Sequence, residues 1–298
     1  MTDTNIPSNS DDGPLRPKPV VLLLIDGWGI APASEANAFA TVDTPVFFNL
    51  TKDYPVAALD VMNLKLNDRY LVLGSGQSEV SEGYYPEHPL SKIISEAGLK
   101  QIKITESERL AALTYFFNGR HDDRATGEEC RILSSDIDDY KTQGRLSVLR
   151  LVRETVKAIN SENFDFIVTA IPTLDLAATT GDSEAINSVI SALDKSFKKI
   201  VQATLDKKGA VIIAAAAGNA EKIKNLNSDM PDTDMTNNPV PLVIIEENLK
   251  GQTIGLDEPL NNDLSLLKPA GTLADLAPTI LQIMKLNKPS EMTGESLI

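Results

Sequence analysis

The chain has 298 residues, 42 acidic against 28 basic side chains, a formal net charge of −14, one cysteine and two histidines. No surplus of Lys and Arg is left to displace condensed counterions, which argues against a nucleic-acid partner, and two histidines cannot supply a metal centre that needs three imidazoles. Cys130 alone allows neither an internal disulfide nor a cysteine-based zinc site, which fits a cytoplasmic location.

Residues 1–18 are polar and lack the basic-then-apolar order of a secretory signal, so they read as a flexible tail. Val20–Ile25 is a short apolar run suited to a strand buried on both faces, and no early run is long enough to span a membrane. Asp26 follows it in Ile25-Asp26-Gly27-Trp28-Gly29. Ser78 comes after the turn Gly74-Ser75-Gly76 and fits either an exposed nucleophile or a helix N-cap. His88 and His121 stand in polar loops and read as surface residues. Leu113–Phe117 reads as a further apolar strand.

The polar stretches Ser135–Gly144 and Lys222–Asn238 read as linkers inside one domain, since the pattern of elements resumes after each. Leu146, Leu149, Val152, Val156 and Ile159 recur at helical spacing. Phe164–Ile171 predicts a strand, with Asp175 just beyond it, and Ile186 to Val201 carries the stripe of a long helix. Ala210–Ala214 predicts another strand, followed by Ala215-Ala216-Ala217-Gly218-Asn219 with no ionisable group before Glu221. Val240–Ile245 predicts a strand, and Leu273 to Met284 a helix.

Strands alternating with amphipathic helices predict an α/β fold, a mostly parallel sheet with helices on both faces. Ligands in such sheets bind beyond the carboxyl ends of the strands, where Asp26 and Asp175 could converge on a cation. The plainer alternative makes Asp26 a turn residue before glycine and Asp175 or Asp182 a helix cap.

Several segments together resemble cofactor-independent phosphoglycerate mutase, of the alkaline phosphatase superfamily. They are Pro19–Ile30, Gln77-Ser78-Glu79-Val80, residues 98–120, Asn238-Pro239-Val240-Pro241 and residues 271–298. The resemblance implies an alkaline-phosphatase-like fold over residues 19–298, a serine nucleophile at Ser78, and metal-binding aspartates at Asp26 and Asp175. In the family two divalent cations, usually manganese, activate the serine and neutralise phosphate charge.

Other positions depart from the family pattern. The histidine of its Asp-x-x-x-His-Thr-Gly element is Thr179 here. The aspartate and histidine of Thr-Ala-Asp-His-Gly-Asn are Ala216 and Ala217, and the histidine ahead of Thr-Thr-Asn-Pro-Val-Pro is Met235. The lysine of Glu-Thr-Glu-Lys is Arg109, and only residues 79–97 stand where the family inserts its substrate domain. These departures imply no cofactor, or at most a weakly held manganese or magnesium ion. Asp26 and Asp175, close together without a cation, are then expected to repel, so that one protonates, hydrates or finds a basic partner, and Asp26→Asn is expected to be neutral or stabilising.

The reading that follows is a catalytically inactive phosphatase-like domain that works by binding, scaffolding or regulation of a protein partner. One alternative is a reduced phosphoester hydrolase using Ser78, with Glu79, Asp182, Asp232 or Asp234 as replacement ligands. The other is one chain of a split phosphoglycerate mutase.

Overall fold

The computed structural model describes residues 16–135, 139–225, 228, 230–254 and 259–298, with Leu260 described in its backbone only. Most of the proposed tail, residues 1–15, therefore lies outside the described residues. Eight strands form one sheet: β1 (Val20–Ile25), β2 (Val56–Asp60), β3 (Gln101–Glu106), β4 (Glu128–Leu133), β5 (Phe166–Ile171), β6 (Ala210–Ala214), β7 (Val240–Ile245) and β8 (Pro269–Thr272). Their order is β4-β3-β5-β1-β6-β7-β2-β8. Only β7 runs against its neighbours, β6 and β2, while the remaining pairings are parallel.

The helices are α1 (Pro45–Asp53), α2 (Leu66–Ser75), α3 (Leu90–Glu96), α4 (Tyr140–Ser161), α5 (Thr173–Ala178), α6 (Ser183–Leu205) and α7 (Leu276–Ile283). α6 starts at Asp182, whose Oδ1 accepts from the backbone N–H of Glu184 and Ala185, so this aspartate is a cap. Its stripe of Ile186, Val189, Ile190, Leu193, Phe197 and Ile200 is buried, each side chain contributing roughly 1.5–3 kcal/mol of apolar transfer. β1, with neighbours on both sides, has every residue buried, as its unbroken apolar run requires.

Residues 79–97, where the family carries its inserted domain, form loop up to Pro89 and then the short α3. The linker expected over Ser135–Gly144 is partly helix, since α4 begins at Tyr140, and residues 136–138 lie outside the described residues.

One predicted strand is helical. Ala112–Phe116 forms a π-helical turn, closed by Phe117 N–H to Ala112 O at 2.9 Å, and not an extended strand over Leu113–Phe117. Five apolar residues carry no period that separates strand from helix. Here Leu113 and Phe117 point into the core, while Thr114, Tyr115 and Phe116 remain half-buried. This turn packs against α2 so closely that a Cβ at Gly74 would sit 1.9 Å from the Phe117 carbonyl oxygen. Gly74→Ala is therefore expected to destabilise by about 1–3 kcal/mol through overpacking, despite alanine's better helix propensity. An unchanged melting temperature would contradict that close approach.

Candidate functional site

Four adjacent parallel strands, β3, β5, β1 and β6, deliver one polar side chain each just beyond their carboxyl ends. In sheet order these are Arg109, Asp175, Asp26 and Asn219. The loops are laced together by backbone bonds, Gly27 N–H to Ala217 O at 2.8 Å and Asp175 N–H to Asp26 O at 3.0 Å. Gly27 has φ +95, and a Cβ there would meet the Asp175 nitrogen at 2.6 Å, so the approach of the two loops requires glycine.

Arg109 bridges the two carboxylates. Its Nε donates to Asp26 Oδ2 at 2.7 Å and its Nη2 to Asp175 Oδ2 at 2.5 Å. Tyr70, on α2, donates its hydroxyl to the same Asp26 oxygen at 2.9 Å, and Asn219 Nδ2 donates to Asp175 Oδ1 at 2.8 Å. Asp26 is fully buried, and Arg109 and Asp175 are each 7% exposed.

Burial raises the Asp26 carboxyl above the ordinary carboxylate range, with Arg109 opposing and Asp175 reinforcing that shift. Burial also favours neutral Arg109, but the charges of Asp26, Tyr70 and Asp175 outweigh it and hold the guanidinium more firmly protonated than usual. Tyr70 stays a hydroxyl donor, because burial, with the Asp26 charge beside it, pushes its pKa well up.

A second polar layer lies alongside. Arg69 of α2 is buried and donates to the carbonyls of Ala216, Thr236 and Leu64 and to Asn237 Oδ1. Buried Glu221 accepts from Thr236 Oγ1 and from Asn238 Nδ2 at 3.0 Å. The predicted linker Lys222–Asn238 thus supplies Thr236, Asn237 and Asn238 to this network. Its residues 226, 227 and 229 lie outside the described residues.

Of the residues singled out in the sequence, Asp26 and Asp175 come together; Asp26 stands in a turn, with Trp28 N–H donating to Ile25 O at 3.2 Å, while Asp175 lies within the first turn of α5 and does not cap it. Of the outcomes expected for the pair, protonation, hydration or a basic partner, the structure shows a basic partner, Arg109. Ser78 is exposed beyond the end of α2; its N–H donates to Thr293 Oγ1 at 2.7 Å and its hydroxyl is hydrogen-bonded to that oxygen at 2.9 Å. Thr179 is exposed at the end of α5, where its hydroxyl donates to the Leu176 carbonyl. Ala216 and Ala217 are buried after β6, and Met235 is half-buried before β7.

The suggested replacement acids stand elsewhere. Asp182 caps α6, Asp232 pairs with Lys222 at 2.7 Å, and Glu79 and Asp234 are exposed.

A model of the Metalloenzyme superfamily matches residues 18–288. The chain belongs to the Metalloenzyme superfamily. Its relatives include 2,3-bisphosphoglycerate-independent phosphoglycerate mutases. That of Clostridium botulinum strain Langeland is 32% identical over 273 residues, 86% of this chain and 50% of the relative. The chain therefore spans about half the length of that curated relative.

Among solved structures, a phosphoglycerate mutase of Leishmania mexicana, determined at low cobalt concentration, shares the fold with a TM-score of 0.61 at 21% identity. The match covers 71% of this chain and 39% of that one. A Vibrio parahaemolyticus protein of the alkaline phosphatase superfamily has a TM-score of 0.63 at 13% identity, over 95% and 70% of the two chains. The α/β, alkaline-phosphatase-like fold expected from the sequence is the fold of this superfamily member.

Membership corrects the expectation of no cofactor, or at most a weak manganese or magnesium ion, because the family is one of metalloenzymes. The structure shows how the inherited donors are engaged in this chain. Asp26 Oδ1, Asn219 Oδ1 and Glu221 Oε2 are buried acceptors without a hydrogen-bond partner, yet both Oδ2 atoms are held by Arg109. Among the described residues, no three His, Cys, Asp or Glu ligand atoms at this position come within 4.8 Å of one another. A divalent ion entering here competes with the guanidinium for both carboxylates, and this donor arrangement does not fit a two-cation cluster.

Tyr70, Arg69 and the bridging role of Arg109 are not marked by any local pattern in the sequence. The available signal for Arg109 was its place after β3, but Gln101, Lys103 and Glu106 hide that strand behind a polar pattern.

Proposed function

We propose that this phosphoglycerate-mutase-like chain is catalytically inactive at the inherited position and works by binding, as a scaffold or regulator of a protein partner. The observation that carries this reading is Arg109, one side chain that takes up an oxygen from each of the two aspartates a phosphoryl-transfer site would need free. Ser78 supports it, since its hydrogen bonds go to Thr293 and not to either aspartate. A net charge of −14 favours a protein partner over a nucleic acid. The reading includes a cytoplasmic location; no helix among the described residues is long and apolar enough to cross a membrane.

The test is phosphomonoester hydrolysis and phosphoglycerate turnover by the purified chain with manganese and cobalt supplied. The expected result is no turnover beyond that of Ser78→Ala. Turnover that Ser78→Ala removes would overturn the proposal and favour the hydrolase. A second reading, one chain of a split mutase, draws on the 50% coverage of the clostridial relative. It requires phosphoglycerate interconversion to appear when a chain carrying the remaining part is added.

A further inference from the structure

Away from the strand ends, the loop before α3 and the segment after α7 bring together Glu87, His88 and Glu291. One ligand atom from each, two carboxylate oxygens and an imidazole nitrogen, lies within 4.8 Å of the other two. We propose that these three residues form a binding site for one first-row divalent cation, of the zinc or cobalt kind, separate from the Asp26–Asp175 position.

Two of the three ligands are already held near each other, and Glu87 is an exposed carboxylate beside them. His88 N–H donates to Glu291 Oε1 at 2.7 Å and holds that carboxylate beside the ring, and His88 Nδ1 lies 3.1 Å from the same oxygen, a contact that an incoming ion replaces. Gln77 Nε2 donates to the Glu291 carbonyl at 2.5 Å and holds the backbone of that residue. The loop carrying Glu87 and His88 is pinned as well. Arg120 Nη1 donates to the carbonyls of Ser81 and Tyr84, and His121 Nε2 lies 2.9 Å from the Pro86 carbonyl. Buried Pro86 and Pro89 bracket the pair and restrict its backbone. Ligands on a fixed backbone lose little entropy on binding.

Charge points the same way. Among the described residues the Glu87 carboxylate has no ion-pair or hydrogen-bond partner; Lys92 reaches its backbone carbonyl and the Glu96 side chain instead. Glu87 and Glu291 bring two carboxylates to the site, whose formal charge one divalent cation balances. The mixed nitrogen and oxygen set suits zinc or cobalt, whereas magnesium and calcium prefer oxygen alone. The His88 and Glu291 side chains are 34% and 31% exposed, so an ion has an entry path and keeps open positions for water or an anion.

The experiment titrates the full chain with cobalt(II), read by its visible absorption, and with zinc by calorimetry. One ion per chain is expected, with affinity falling by about tenfold or more in His88→Ala and in Glu291→Gln and unchanged in Asp175→Asn. Circular dichroism confirms that each variant is folded. Absence of cobalt and zinc binding by the wild-type chain would overturn the site. So would binding that Asp175→Asn abolishes and His88→Ala leaves intact, because the ion would then belong to the strand-end position.

Discussion

Arg109→Ala is expected to destabilise the fold by about 3–5 kcal/mol, the usual cost of removing one partner from a buried ion pair. The loss leaves Asp26 and Asp175 facing each other, with burial opposing the charge on Asp26 and Asp175 adding to that opposition. Arg109→Lys is expected to recover only part of the loss, since an ammonium cannot place two nitrogens in fixed geometry on two carboxylates. Asp26→Asn contrasts with both. Because burial already favours the neutral carboxyl, and Arg109 keeps Asp175 as partner, that change stays near neutral or stabilises. Urea unfolding of the four proteins decides the matter. If Arg109→Ala unfolded at the wild-type midpoint, the guanidinium would not be what offsets these carboxylates.

The second large effect concerns a pair the sequence did not announce. Lys103 and Glu128 meet at 3.2 Å on neighbouring strands β3 and β4, both side chains fully buried, with Asn118 bonding both. Lys103→Met is expected to cost about 3–5 kcal/mol by stranding Glu128, while the double change Lys103→Met with Glu128→Leu recovers most or all of it. A pH signature accompanies this. Burial lowers the Lys103 pKa from 10.5 to about 8, with Glu128 opposing. Between these values the unfolded chain binds more protons than the folded one, so this pair makes stability rise with pH, by up to about 1.4 kcal/mol per unit. That rise should vanish in the double variant. A wild-type stability that instead fell between about pH 8 and pH 10, with the double variant unchanged, would show that the folded state does not disfavour the lysine charge.

The fold was legible where strands are buried on both faces and wholly apolar. β1, β5, β6 and β7 announce themselves, as does the stripe of α6, whereas α4 forms as a helix but buries Val148, Leu151, Val152, Thr155 and Ile159 and leaves Leu146 of the expected stripe exposed. β3 did not, because its Gln101, Lys103 and Glu106 are buried polar groups whose partners lie far along the chain, such as Glu128 for Lys103 and Ser147 for Glu106. A local pattern cannot register a partner so remote. The same limit applies at the strand ends. Asp26 and Asp175 could be picked out as acids after strands, and the resemblance placed Arg109 in a motif. That a guanidinium spans the two acids is a fact of strand order, β3 beside β5 beside β1, which no spacing encodes. Leu113–Phe117 failed for the opposite reason, an apolar run too short to declare its period.

The bonds that hold the Ser78 loop carry a consequence for the order of assembly. Gln77 is tied to Glu291, Ser78 to Thr293, and the Gly294 N–H donates to the Gly76 carbonyl. The first two contacts span 214 and 215 residues. Closing so large a loop is entropically costly and must follow the packing of what lies between. During synthesis the serine loop therefore emerges early and stays unlatched until residue 294 has left the ribosome, one of the last pieces of the fold to settle.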